Sequence, residues 1–132
     1  MQYLLDTDTC IYWLKSRKSV RDKLLEVQFI QVAISVITVS ELYFGAYNSS
    51  KIEQNLVTAE TFINSIAVLP LSNHALKLFG QLKAQLRQAG IPVADFDLLI
   101  ASIAITEGLT LVTNNIRHYE RIPNLILENW AK

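Results

Sequence analysis

Three carboxylates stand where an isolated charge is costly. Asp6 closes the apolar run YLL, Glu41 lies within VITVSELYF, and Asp97 opens onto LLIASIAI. A carboxylate in apolar surroundings must find a cation or take up a proton, because burial penalises its charged form. Two carboxylates within ~4 Å of one another repel by roughly 4 kcal/mol at an effective dielectric near ~20. Convergence of Asp6, Glu41 and Asp97 on one point therefore calls for a divalent ion. Oxygen donors with no His or Cys beside them favour Mg2+ or Mn2+ over zinc. Such an ion suits phosphodiester hydrolysis, since it activates water and offsets charge on the leaving oxygen.

Each acid also has a plainer reading. Asp6 can be a turn residue or cap the helix that follows it, and of the pair Asp6 and Asp8 the second is the expected N-cap. A surface role for Glu41 fits its context poorly: its neighbours Val39, Leu42 and Phe44 are apolar and Lys51 is beyond i+4 reach. Asp95 and Asp97 are about 200° apart around a helix, so they cannot face the same way. Asp97 shares a face with Ala101 and Ala104, which leaves Asp95 as the expected N-cap or, otherwise, a direct ligand or a support for the ligands. His74 and His118 have no acid or Ser partner at motif spacing, and Cys10 in CIYW is read as core. In NNIRHYERI, a solvated loop is one reading. The other is a phosphate-binding rim in which Arg117 and Arg121 grip phosphate and Tyr119 stacks on a base.

The elements that must position these residues alternate. The spacing predicts strands at QYLLD, QVAIS, IAVLPL, TLVT and LILENW. Helices are expected at TDTCIYWLKS, SVRDKLLEV, VITVSELYFGAYNSS, residues 51–65, residues 72–89 capped by Ser72 and ended by Gly90, and residues 95–107 ended by Gly108. Alternation of this kind implies an α/β fold with a mostly parallel sheet covered on both faces. Ligands of such sheets sit at the carboxyl ends of strands, where Asp6 and Asn115 both fall.

The length of 132 residues suits one domain, residues 1–132, and 51% hydrophobic content excludes disorder. No apolar run is long enough to span a bilayer, no secretory signal opens the chain, and a lone cysteine fits a reducing compartment, so a cytoplasmic protein is expected. The 12 basic and 12 acidic residues cancel. If Asp6, Asp8, Glu41, Asp95 and Asp97 all face a metal pocket, seven acids are left against twelve bases, and the outer surface attracts a polyanion.

The segments LLDTD, SVITVSELYFGA, IPVADFDLLIASIAI and LVTNNIRHYERIPNLILENW together resemble the PIN-domain ribonucleases of the VapC toxin type, over nearly the whole chain. The resemblance implies a three-layer α/β/α sandwich, dependence on Mg2+ or Mn2+, endonucleolytic cleavage of structured RNA, a homodimer, and neutralisation by a VapB-type antitoxin. It carries the acidic positions onto Asp6, Glu41 and Asp97, with the fourth catalytic position on Asn115, where many members have Asp. Thr7, Thr113, Asp8 and Asp95 are then expected to support the ligands. A neutral oxygen at Asn115 implies weaker binding of a second metal. The form of residues 114–121 is similar to that of members acting on initiator tRNA. Two rivals stand beside this reading. LLDTDTC is similar to the nucleophile motif of haloacid-dehalogenase phosphatases, with Asp6 as nucleophile and Asp8 as acid/base, although position 10 is Cys. Asn115 also suits a PIN-like module that binds RNA or a partner and cleaves weakly.

Overall fold

A computed structural model describes all residues, 1–132. The chain alternates as β1 (Tyr3–Leu5), α1 (Thr7–Leu14), α2 (Lys18–Val27), β2 (Val32–Ser35), α3 (Val36–Tyr47), α4 (Ile52–Asn64) and β3 (Ala67–Leu69). It continues through α5 (Asn73–Gln88), α6 (Asp95–Glu107), β4 (Thr110–Val112), α7 (Ile116–Tyr119) and β5 (Leu127–Glu128), with one 3-10 turn at Phe29–Gln31. The five strands form one sheet in the order β3-β2-β1-β4-β5, and every pairing is parallel.

Side-chain alternation along the strands divides the core into two layers. Leu4, Ala33 and Leu111 point to the face covered by α5 and α6, packing with Leu82, Leu86, Ile100 and Ile103. Tyr3, Leu5, Val32, Ile34 and Val112 point to the opposite face, against Cys10, Leu24, Leu42 and Phe62. The result is the expected α/β/α sandwich. Strands buried on both faces read as unbroken apolar runs, as parallel strands do.

Three local devices set the element ends. Ser72 accepts from the Ala75 amide at 3.1 Å and caps α5. Gly108 ends α6 at φ +68°, a conformation that strains any residue with a Cβ. Ser35 accepts from the Thr38 amide at 3.1 Å and turns β2 directly into α3. No helix is long and apolar enough to cross a membrane.

Two capping expectations are corrected. Asp6, not Asp8, is the N-cap of α1, its Oδ1 accepting from the Thr7 amide at 2.9 Å. The N-cap of α6 is Ala94, so Asp95 is the first helical residue. The segment after Asn115 is not a loop throughout, since it winds into α7.

Candidate active site

The strand order reverses between β1 and β4, and in open parallel sheets that switch point is where a crevice opens beyond the strand ends. Asp6 follows β1 there, and Thr113, Asn114 and Asn115 follow β4. Pairing of Leu5 with Val112 brings the two strand ends side by side. Helix α3 starts where β2 ends and carries Glu41, and α6 carries Asp97 in its first turn.

Asp6 is 5% exposed. Its Oδ2 accepts from the Thr113 hydroxyl at 2.7 Å. That hydroxyl in turn accepts from the Asn115 amide at 3.0 Å, so the donor is oriented by the backbone of the next strand end. Burial, followed by the charge of Asp8, pushes the Asp6 pKa up to about 6, against the lowering effect of its hydrogen bonds. Asp8 fixes α1 to the β4 end: its Oδ2 accepts from the Asn114 amide at 2.9 Å and its Oδ1 from the Thr9 amide at 2.6 Å.

Glu41 is held by Thr7, whose hydroxyl donates to Oε1 at 2.5 Å. Having given its proton to Glu41, Thr7 is left to accept from Thr38 at 3.0 Å. Asp97 has a donor from α7 on each oxygen: the Tyr119 hydroxyl lies 3.2 Å from Oδ1 and the His118 Nδ1 lies 3.1 Å from Oδ2. The same Tyr119 hydroxyl lies close enough to Asp6 to act on its charge. Burial and these two carboxylates drive the Tyr119 pKa far upward, so the phenol stays protonated.

Asp6, Asp8 and Glu41 take part in no ion pair with Lys, Arg or His. As the side chains stand, no three His, Cys, Asp or Glu residues are grouped into a ready metal cage. The donor chemistry nonetheless fits Mg2+ or Mn2+. Mg2+ keeps several waters and takes only one or two carboxylates directly, and every carboxylate here is a hard oxygen donor with no basic side chain to neutralise Asp6.

Other predicted residues fall outside this arrangement. Asp95 turns away and pairs with Lys83 at 2.9 Å, its side chain 56% exposed, so it neither caps α6 nor supports a ligand. Tyr119 is fully buried and cannot stack on a base. Arg117 and Arg121 are exposed, enter no ion pair, and line a recess of about 390 Å3 with Asp97, His118 and Val93. Asn115 is exposed, and its side chain does not cap α7. Cys10 is fully buried, as expected, and burial together with Asp6, Asp8 and Glu41 raises its thiol pKa. Sequence reasoning missed His118, whose acid partner is 21 residues away, and Thr38. Only the fold supplies those partners, so no spacing signal marks them.

Comparison with known proteins identifies the family. Residues 3–125 match the family profile described as PIN domain. The chain is 41% identical to ribonuclease VapC2 of Rickettsia felis over the full length of both. It is 38% identical to the tRNA(fMet)-specific endonuclease VapC of Salmonella typhimurium, with 99% of each chain covered. Among solved structures, the DNA-bound VapBC of Salmonella typhimurium superposes with a TM-score of 0.93 at 38% identity, covering 98% of each chain. VapBC2 of Rickettsia felis bound to a promoter DNA fragment gives 0.91 at 41% identity, covering 98% of this chain and 99% of that one.

Proposed function

We propose, from the premise that this chain belongs to the PIN-domain family and stands among its VapC ribonucleases, that it is the toxin of a VapBC pair and hydrolyses RNA with Mg2+ or Mn2+ at the switch point. The observation that carries the metal reading is Asp6: a buried carboxylate beside Asp8, with no basic partner, is the group a divalent ion would satisfy. Asp6 and Asp97 are the proposed direct ligands, with Glu41 as the third. Held by these carboxylates, Mg2+ would supply Lewis acidity, the chemistry that lowers the pKa of a water and offsets charge on a leaving oxygen.

The chain's own groups have separate tasks. Thr113 and Thr7 keep the Asp6 and Glu41 carboxylates aimed by donating to one oxygen of each. Asn115 offers a neutral oxygen where an acid would add charge, which favours one tightly held ion over two. Arg117 and Arg121, free of ion pairs beside Asp97, suit the phosphates of an RNA strand. Initiator tRNA is the first substrate to examine, on the strength of the Salmonella relative.

A VapB-type antitoxin is the proposed regulator, and a homodimer the proposed assembly. A groove of about 420 Å3, lined by Ile11, Leu14, Leu42 and Ala46 and opening at Glu41, suits an amphipathic segment that ends in a cation. The match of residues 3–125 disfavours the phosphatase alternative, in which Asp6 is a nucleophile.

The test is cleavage of purified tRNA by the wild-type chain and by Asp97→Asn. Expected are loss of cleavage in chelator, recovery with Mg2+ or Mn2+, and a fall of at least about 100-fold in the variant with its far-UV circular dichroism unchanged. Undiminished cleavage in chelator would remove the metal mechanism. Phosphate release from small monoesters would restore the phosphatase reading.

A further inference from the structure

Helix α7 spans only four residues, yet its side chains separate sharply: Arg117 and His118 are exposed while Tyr119 is 0% exposed. A phenylalanine would fill the same volume. A buried hydroxyl without a partner costs about 1–3 kcal/mol, so the phenolic oxygen has to be matched by a polar group. Its hydrogen-bond partner is a carboxylate from another element, Asp97 of α6 at 3.2 Å, and the carboxylate of Asp6 at the end of β1 lies near enough for the two groups to act on one another. One phenol carries one proton. Donated to Asp97, that hydrogen leaves Asp6 dependent on Thr113, so the two carboxylates are oriented by different hydroxyls. His118 also reaches Asp97, but its side chain is 57% exposed and competes with water.

We propose that Tyr119 is a positioning residue for the metal site: its buried hydroxyl fixes the Asp97 carboxylate relative to Asp6, so that both are set before a divalent ion arrives. This rests on Asp6 and Asp97 being ligands. A hydrogen-bonding partner that orients a ligating carboxylate typically contributes about 10–100-fold to metal affinity.

The experiment is calorimetric titration of the metal-free protein with Mn2+ alone, without RNA, for wild type, Tyr119→Phe and Asp97→Asn. Tyr119→Phe should weaken Mn2+ binding by about 10-fold or more, with its thermal unfolding still cooperative in chelator. Unchanged or tighter binding in Tyr119→Phe, while Asp97→Asn abolishes binding, overturns the role of the hydroxyl alone. Unchanged binding in Asp97→Asn overturns the ligand reading, and the inference falls with it. A second measurement does not depend on Tyr119→Phe folding. In the wild-type chain labelled with 3-fluorotyrosine, the signals of the buried Tyr3 and Tyr119 should be shielded from a soluble paramagnet, and the one that persists in Tyr3→Phe should shift on Mg2+ addition, and should not shift in Asp97→Asn. A signal unmoved by saturating Mg2+ in the wild type also overturns the proposal.

Discussion

The carboxyl of Asp6 is 5% exposed and has Asp8 as its charged neighbour, so both burial and repulsion favour its protonated form and raise its pKa from 3.8 to about 6. In the unfolded chain the group ionises near its ordinary value. Between about pH 4 and pH 6 the folded state therefore binds more protons than the unfolded state. The stability this confers is fully present below about pH 4 and is lost as pH rises through about 6. The effect is on the order of 3 kcal/mol. Urea denaturation of the metal-free protein should show that decline, and Asp6→Asn should flatten it while being the more stable form at pH 7. A wild-type profile that stays level or rises from pH 4 to 6 would contradict the raised pKa. At this scale the sequence revealed which acids are out of place, because Asp6, Glu41 and Asp97 interrupt apolar runs. Spacing did not reveal what holds them: the family resemblance pointed to Thr7 and Thr113, and nothing pointed to Tyr119 as a support. The hydroxyls of Thr7, Thr113 and Tyr119 come from positions 34, 107 and 22 residues away from the carboxylates they serve. The caps of α1 and α6 were misassigned for a related reason: Asp suits N-cap and first-turn positions alike, and the preceding backbone decides between them.

At the scale of elements, most boundaries were legible, because buried parallel strands and amphipathic helices leave different periodicities. Ser72 and Gly108 mark the start of α5 and the end of α6 as capping chemistry requires. Helix α7 was not legible. Four residues give too short a window for a 3.6-residue period, and its formation depends on Tyr119 finding a buried place between α6 and the sheet. That placement changes the division of labour within the segment. Tyr119 faces the acids, and Arg117 with Arg121 is left facing solvent. Replacing an exposed arginine with no ion pair should leave the fold alone, within about 0.5 kcal/mol. Arg117→Ala should weaken RNA binding uniformly across sequences and reduce the slope of log affinity against log salt by about 1, as loss of one phosphate contact does. Filter binding over a range of KCl concentrations measures both. An unaltered slope would mean that Arg117 does not touch phosphate.

For the whole molecule, the order β3-β2-β1-β4-β5 sets the first strand at the centre of the sheet, so that residues near both ends of the chain build the crevice. Alternating elements foretell a parallel sheet, but strand order is a long-range property, and the final strand is shorter than LILENW suggests, only Leu127–Glu128. The residues after it close the structure instead. Trp130 is 4% exposed, meets the Tyr3 ring edge-on at 5.1 Å between centroids, and donates its Nε1 hydrogen to Glu128 at 3.0 Å. Arg17 donates to the Ala131 carbonyl at 2.8 Å. Asn129 donates to the Asn114 side chain at 3.1 Å, and the Asn114 amide in turn binds Asp8. The tail thus braces the loop that carries Thr113 and Asn115. Its energetic weight should lie in the indole, since burial of a large aromatic outweighs a single part-buried hydrogen bond. Trp130→Ala should lower the free energy of unfolding by about 3 kcal/mol or more, and Arg17→Ala by no more than about 1 kcal/mol. Urea midpoints at constant m-value separate the two cases. Equal small losses would show that the tail lies on the surface without supporting it, and that the β4 end keeps its shape unaided.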